Sequence, residues 1–137
     1  MRVYPWQNPK RETQRFDNSK AYVWKEKFDV LKVKKPVKDA FANIIDENET
    51  TAIARQGSYP ETDVLLAEKD WRIITFNMVL PFGMVGFLAR ISKALAEEKI
   101  SIFAISAYST DHVLVKDADL QKAKVTLENL GFSVGSK

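Results

Sequence analysis

The sequence contains no cysteine and only one histidine, His112. Without thiols there is no disulfide scaffold, no thiolate metal site and no cysteine nucleophile. A single histidine leaves at most one nitrogen ligand, where zinc sites favour two or more His or Cys ligands. Long hydrophobic runs are also missing. The longest near-apolar stretch, Met78 to Ala89, is too short to span a bilayer and is broken by Pro81, Gly83 and Gly86. The opening residues show no apolar run followed by a small-residue cleavage site, so no signal peptide is expected. These absences lead to an expectation of a cytoplasmic protein without membrane partners. No glycine loop of the phosphate-binding GxxxxGKS type occurs, since no lysine follows Phe82-Gly83-Met84-Val85-Gly86. His112 falls in a strand-like segment with no serine nucleophile at a recognisable elbow. Catalytic residues, cofactors and bound metals are therefore not expected, and the chain reads as a non-enzyme.

What is present suits a small globular fold. The 137 residues are 45% hydrophobic, enough for a real core. The net charge of +3 is unevenly spread, with 11 of the 21 basic residues but only 4 of the 18 acidic ones at or before Lys38. A basic stretch attracts anionic partners. No Gly/Arg-rich tract or run of aromatics accompanies it, so a solvated, charged strand edge is the better reading and nucleic acid is not an expected partner. Asp46, Glu47 and Glu49 cluster, but in a hairpin turn.

Three segments are expected. Residues 1–19 lack periodicity and read as a tail or an arm over the body, with Tyr4 and Trp6 as anchors. Residues 20–69 are β-rich: AYVW, FDVLKVK broken at Pro36, then a hairpin with arms Phe41 to Ile45 and Thr50 to Ala54. DVLLAEKD reads as a short strand or a single helical turn. Residues 70–137 carry a clearer pattern. Trp71 to Leu80 is a strand, followed by an amphipathic helix over about Met84 to Glu98, with Met84, Phe87, Leu88, Ile91 and Leu95 on one face. Ser101 to Tyr108 is an apolar strand, Ser109 to Asp111 a turn, and His112 to Lys116 the return strand. Asp117 is placed to cap a second helix with Leu120, Ala123, Leu127 and Leu130 on one side. Gly131 ends it and Phe132 to Val134 starts a last strand. The order β-α-β-β-α-β is the ferredoxin-like pattern of an α+β domain. Residues 20–69 are either a degenerate copy of that unit or a β-extension of its sheet.

The best candidate site is the strand-to-helix junction from Leu80 to Gly86. The first N–H groups of a helix lack internal partners and favour an anion. Beside it, Ser106, Tyr108, Ser109, Thr110 and Asp111 offer hydroxyls and one carboxylate. Helix N–H groups for a carboxylate and a carboxylate for an amine suit an α-amino acid.

The run DWRIITFNMVLPFGMVGFLARISKALAEEKISIFAISAYSTDHVLVKDADLQKAKVTLENLGF resembles the ACT domain family. It is most similar to small proteins with two ACT-like units and to the units of cytosolic arginine sensors. The segment FDVLKVKKPVKDAFANIIDENETTAIA looks like the preceding half. The resemblance implies non-catalytic sensing of an amino acid or small metabolite, a regulated partner protein and a homodimer. The ligand positions it implies are Leu80, Pro81, Phe82, Gly83, Met84 and Val85, with Ile105, Ser106, Ala107, Tyr108 and Thr110. This chain departs from those relatives at Ala107, Ser109 and His112, where they carry a hydroxyl, a carboxylate and an aromatic. A guanidinium wants a paired carboxylate, so arginine itself is not implied. The alternative is a ligand-free structural or protein-interaction module.

Overall fold

The computed structural model describes residues 16–78 and 86–137. Among them are eight strands: β1 (Lys20–Val23), β2 (Phe28–Val33), β3 (Ala42–Ile45), β4 (Thr50–Arg55), β5 (Val64–Phe76), β6 (Ile102–Ser106), β7 (Asp111–Lys116) and β8 (Ser133–Ser136). Helix α1 spans Phe87–Glu97 and α2 spans Leu120–Asn129. The α+β, ferredoxin-like expectation holds, with one addition. β1 lies between β5 and β8, antiparallel to the first and parallel to the second.

β5 organises the whole sheet. VLLAEKD and the first six residues of WRIITFNMVL form one strand, which runs on through a bulge at Asp70 (φ +67°). The strand stops at Phe76, short of the expected Leu80. Its first half pairs with β2, and its second half pairs with β1 on one side and β7 on the other. The division expected at 69/70 thus falls within β5, and β1 is hydrogen-bonded into the C-terminal sheet.

Alternation along the strands sends side chains to two layers. Ala21, Val23, Ile74, Phe76, Val113 and Val115 meet Phe87, Ile91, Leu95, Ala123 and Leu127 of the helices. Phe16 joins this layer at 1% exposure, stacked on Phe132 with ring centroids 4.9 Å apart. The end of the expected N-terminal arm is therefore core, while Tyr4 and Trp6 lie outside the described residues. On the opposite face, Ile73 and Leu114 pack with Trp71 against Phe28 and Ile53, and Phe41 reaches across to His112. The β2–β3–β4 wing extends the sheet and also curls over the face that the helices leave open.

Several local expectations are corrected. α1 begins at Phe87, after Gly86 with φ +89°, so Met84 and Val85 precede it and lie outside the described residues. Asp117 does not cap α2. It starts a 3-10 turn and pairs with Arg72 at 3.1 Å and Lys27 at 3.7 Å, because the cations on β5 and beside β1 attract it more than a single N–H would. β6 covers Ile102–Ser106, shorter at both ends than the expected Ser101 to Tyr108, with Ala104 and Ser106 exposed on one face. Gly131 follows α2 with φ +107°, as expected.

Candidate functional site

The site residues that the structure describes occupy one end of the sheet. β6 delivers Ile105 and Ser106 there, and β7 starts there with Asp111. The register sets Ser106 opposite Asp111 and Ile105 opposite His112, which in turn lies opposite Thr75 of β5. The Ser106 hydroxyl donates to Asp111 Oδ1 at 2.6 Å. The turn between them is closed by the Ala107 N–H donating to the Thr110 carbonyl at 2.8 Å. Tyr108 stands out from the turn at 82% exposure. Ile105 points to the opposite layer, against the wing.

Helix α1 begins at the same end. Phe87 in its first turn meets Phe76, the last residue of β5, edge to face at 5.2 Å. The first bond of the helix runs from the Arg90 N–H to the Gly86 carbonyl, so the amide groups of the first turn lie outside the helix's own ladder. No acidic side chain sits in that turn. The expected contacts at Leu80, Pro81, Phe82, Gly83, Met84 and Val85 lie outside the described residues.

Behind Asp111 runs a polar chain that pattern reading missed. The Trp24 indole N–H donates to Thr75 Oγ1 at 2.8 Å, and Thr75 Oγ1 lies 2.8 Å from His112 Nδ1. The Thr75 oxygen accepts from Trp24, and the same hydroxyl group is hydrogen-bonded to His112 Nδ1, so one threonine joins the indole to the imidazole. Burial lowers the His112 pKa from its ordinary value, while the Asp111 charge pulls it upward. The only sequence signal was a threonine and a histidine at inward positions of two strands. Their pairing depends on register.

A second polar cluster lies in the wing. Asp29 is fully buried and accepts from Gln56 Nε2 at 2.8 Å, Tyr59 Oη at 2.6 Å and the Asp70 N–H at 3.2 Å. Burial, then the carboxylate, push the Tyr59 pKa far above that of an ordinary phenol. Asp70 has φ +67° and the β2–β5 register shifts between Phe28 and Val30, so the cluster holds a bulge. In the acidic hairpin, Asp46 Oδ1 accepts from the Asn48 and Glu49 N–H groups, which is a turn and not a cation site. Among the described residues no group of three or more His, Cys, Asp or Glu is placed to hold a metal ion. No helix among them is long and apolar enough to cross a membrane. A groove of about 310 Å³ lies between the wing and β6, lined by Val30, Lys32, Thr51, Leu66 and Phe103 among others, away from Ser106 and Asp111.

Two helices on one face of a mainly antiparallel sheet define an α+β, ferredoxin-like class of domain. Residues 66–129 match the family model of the ACT domain. Sequence comparison with curated proteins finds no match. Among solved structures, the chain is similar to protein Atu0741 from Agobacterium tumefaciens, at 20% identity and a TM-score of 0.75, covering 87% of this chain and 93% of that one. It is also similar to VC0802 from Vibrio cholerae, described as a possible transport protein, at 18% identity and 0.69, covering 84% and 89%. A third likeness is to the regulatory subunit of aspartate kinase from Thermus thermophilus, at 7% identity and 0.60, covering 83% and 97%. These identities speak for a shared fold.

Proposed function

We propose that this protein is a non-catalytic sensor that binds an amino acid or a small carboxylate metabolite and regulates a partner protein. The sensing unit is the ACT domain with β1 built into its sheet. The ligand sits at the sheet end where Ile105 to Tyr108, Thr110 and Asp111 lie near the start of α1, and the sequence resemblance adds Leu80 to Val85 as further ligand positions. The observation that carries this reading is the meeting of opposite polarities there. The Asp111 carboxylate, which makes no ion pair among the described residues, lies at the end of the sheet where α1 begins. A ligand with an ammonium and a carboxylate matches both ends. Arginine is not singled out, because Ser109 offers no second carboxylate.

The test is a thermal-shift screen against the twenty amino acids and common carboxylate metabolites, followed by calorimetric titration of any hit. Binding to the native state alone raises stability by mass action. A concentration-dependent rise that Asp111→Asn removes supports the reading. No shift at millimolar ligand, with a folded control, overturns it for free amino acids.

Exposed apolar side chains favour a second reading, an interaction module. Ile44, Thr51, Lys32 and Leu66 form one row across β3, β4, β2 and β5, and Leu66 is 67% exposed. Self-association or a partner would cover this row. Light scattering on the wild type and Leu66→Ser checks it, with a concentration-dependent dimer lost in the variant as the supporting result.

A further inference from the structure

The face of the sheet away from the helices carries an aromatic surface at its β1–β8 margin, joined to the site above through the Trp24–Thr75–His112 chain. Tyr22 on β1 and Trp24 just past its end are two residues apart and point to that face, with ring centroids 6.4 Å apart. Trp24 is held firmly. Its N–H is bonded to Thr75, and its ring meets Phe28 and Phe41 edge to face at 6.2 and 5.2 Å. The indole is half-buried and held in place by these contacts. Gly135 lies opposite Tyr22 in the parallel ladder, and a Cβ built there would meet nothing within 4 Å. Among the described residues, nothing fills the flank of the phenol beside Gly135 and no strand pairs with the outer side of β8.

One cation already occupies this surface. Lys137 Nζ lies 4.2 Å from the Trp24 ring centroid and 5.3 Å from that of Tyr22. Its backbone is fastened by the Lys137 N–H to the Val23 carbonyl at 3.0 Å. Among the described residues Lys137 has no carboxylate partner, so the ring faces are what hold its ammonium. Indole presents the most favourable face to a cation, and a second ring adds to it.

We propose that Tyr22 and Trp24 form a binding platform for an alkylammonium group, with Lys137 as its internal occupant. An incoming amine displaces the Lys137 side chain, slides its alkyl stem along the open flank by Gly135 and rests its charge on the indole. An internal occupant lowers the apparent affinity by the fraction of time it covers the platform. Its removal should therefore strengthen binding. The same chemistry can arrive as a free small amine or as a lysine side chain on an extended segment beside β8.

The experiment follows the Trp24 Nε1–H and the Tyr22, Val23 and Gly135 amides by ¹H–¹⁵N NMR during titration. The probes are n-butylammonium chloride, 1-pentanol as its neutral counterpart, sodium chloride at matched ionic strength, and the blocked tripeptide acetyl-Ser-Lys-Ser-amide. Expected are saturable shifts with butylammonium but not with pentanol or sodium, about three- to tenfold tighter in Lys137→Ala. Trp24→Phe, which keeps a packed ring, and Tyr22→Leu, which leaves Trp24 as a reporter, should both weaken binding. Tighter binding of the tripeptide assigns the platform to a presented lysine, and equal binding assigns it to the head group alone. Either upholds the platform. It is overturned if Lys137→Ala shows no saturable shift, or if pentanol produces the same response.

Discussion

Thr75 Oγ1 lies 2.8 Å from His112 Nδ1, at a point where β5 and β7 pair directly and the threonine is only 2% exposed. The hydroxyl also receives the Trp24 indole N–H. Thr75→Val keeps the shape and removes both bonds, stranding the Trp24 N–H and His112 Nδ1. The expected loss is about 1–3 kcal/mol in urea unfolding, with Thr75→Ser recovering most of it.

The same histidine makes stability depend on pH. Its folded pKa is lowered by burial, so the unfolded chain takes up the proton first as pH falls. The contribution is fully present above the ordinary histidine value of about 6.5 and is lost as pH falls through the lower folded value. The urea midpoint should therefore drop between pH 7.5 and 5.5, and His112→Gln should flatten that drop. Asp111→Asn should steepen it, because the Asp111 charge is what holds the folded pKa up.

Gly131 is required by its backbone and by its neighbours. Its φ is +107°, and an added Cβ would meet Asp17 Oδ1 at 2.5 Å and the Phe16 carbonyl carbon at 2.9 Å. Gly131→Ala should destabilise by about 1–3 kcal/mol, measured by urea unfolding. It should also loosen Phe16 from Phe132, visible as increased hydrogen exchange at the Phe16 amide, which is bonded to the Leu130 carbonyl.

The wing has its own weak point. Tyr59→Phe removes a hydroxyl donor from the buried Asp29 carboxylate, leaving Gln56 and the Asp70 amide. Because Tyr59 is itself partly exposed, the expected cost is about 1 kcal/mol. Thermal unfolding should show the loss, while the fold around α1 and α2 keeps its native near-ultraviolet signal.

The chain's linear pattern determined the elements. Helical spacing of Phe87, Ile91 and Leu95 placed α1 on the sheet, and Gly131 marked the end of α2. The alternation and polar turn between Phe41 and Ala54 marked the β3–β4 hairpin. Such features depend on neighbours a few residues away, so they are visible in the sequence. Tertiary structure alone decided the rest. β1 enters between β5 and β8, and the wing curls until Phe41 touches His112. Trp24, Thr75 and His112 come from three distant points of the chain and meet only because two ladders adopt one register. Asp117 turned from a helix cap to an ion pair for the same reason, since Arg72 lies 45 residues away. Pairing partners across a sheet are chosen by the packing of whole faces, and no local spacing records that choice.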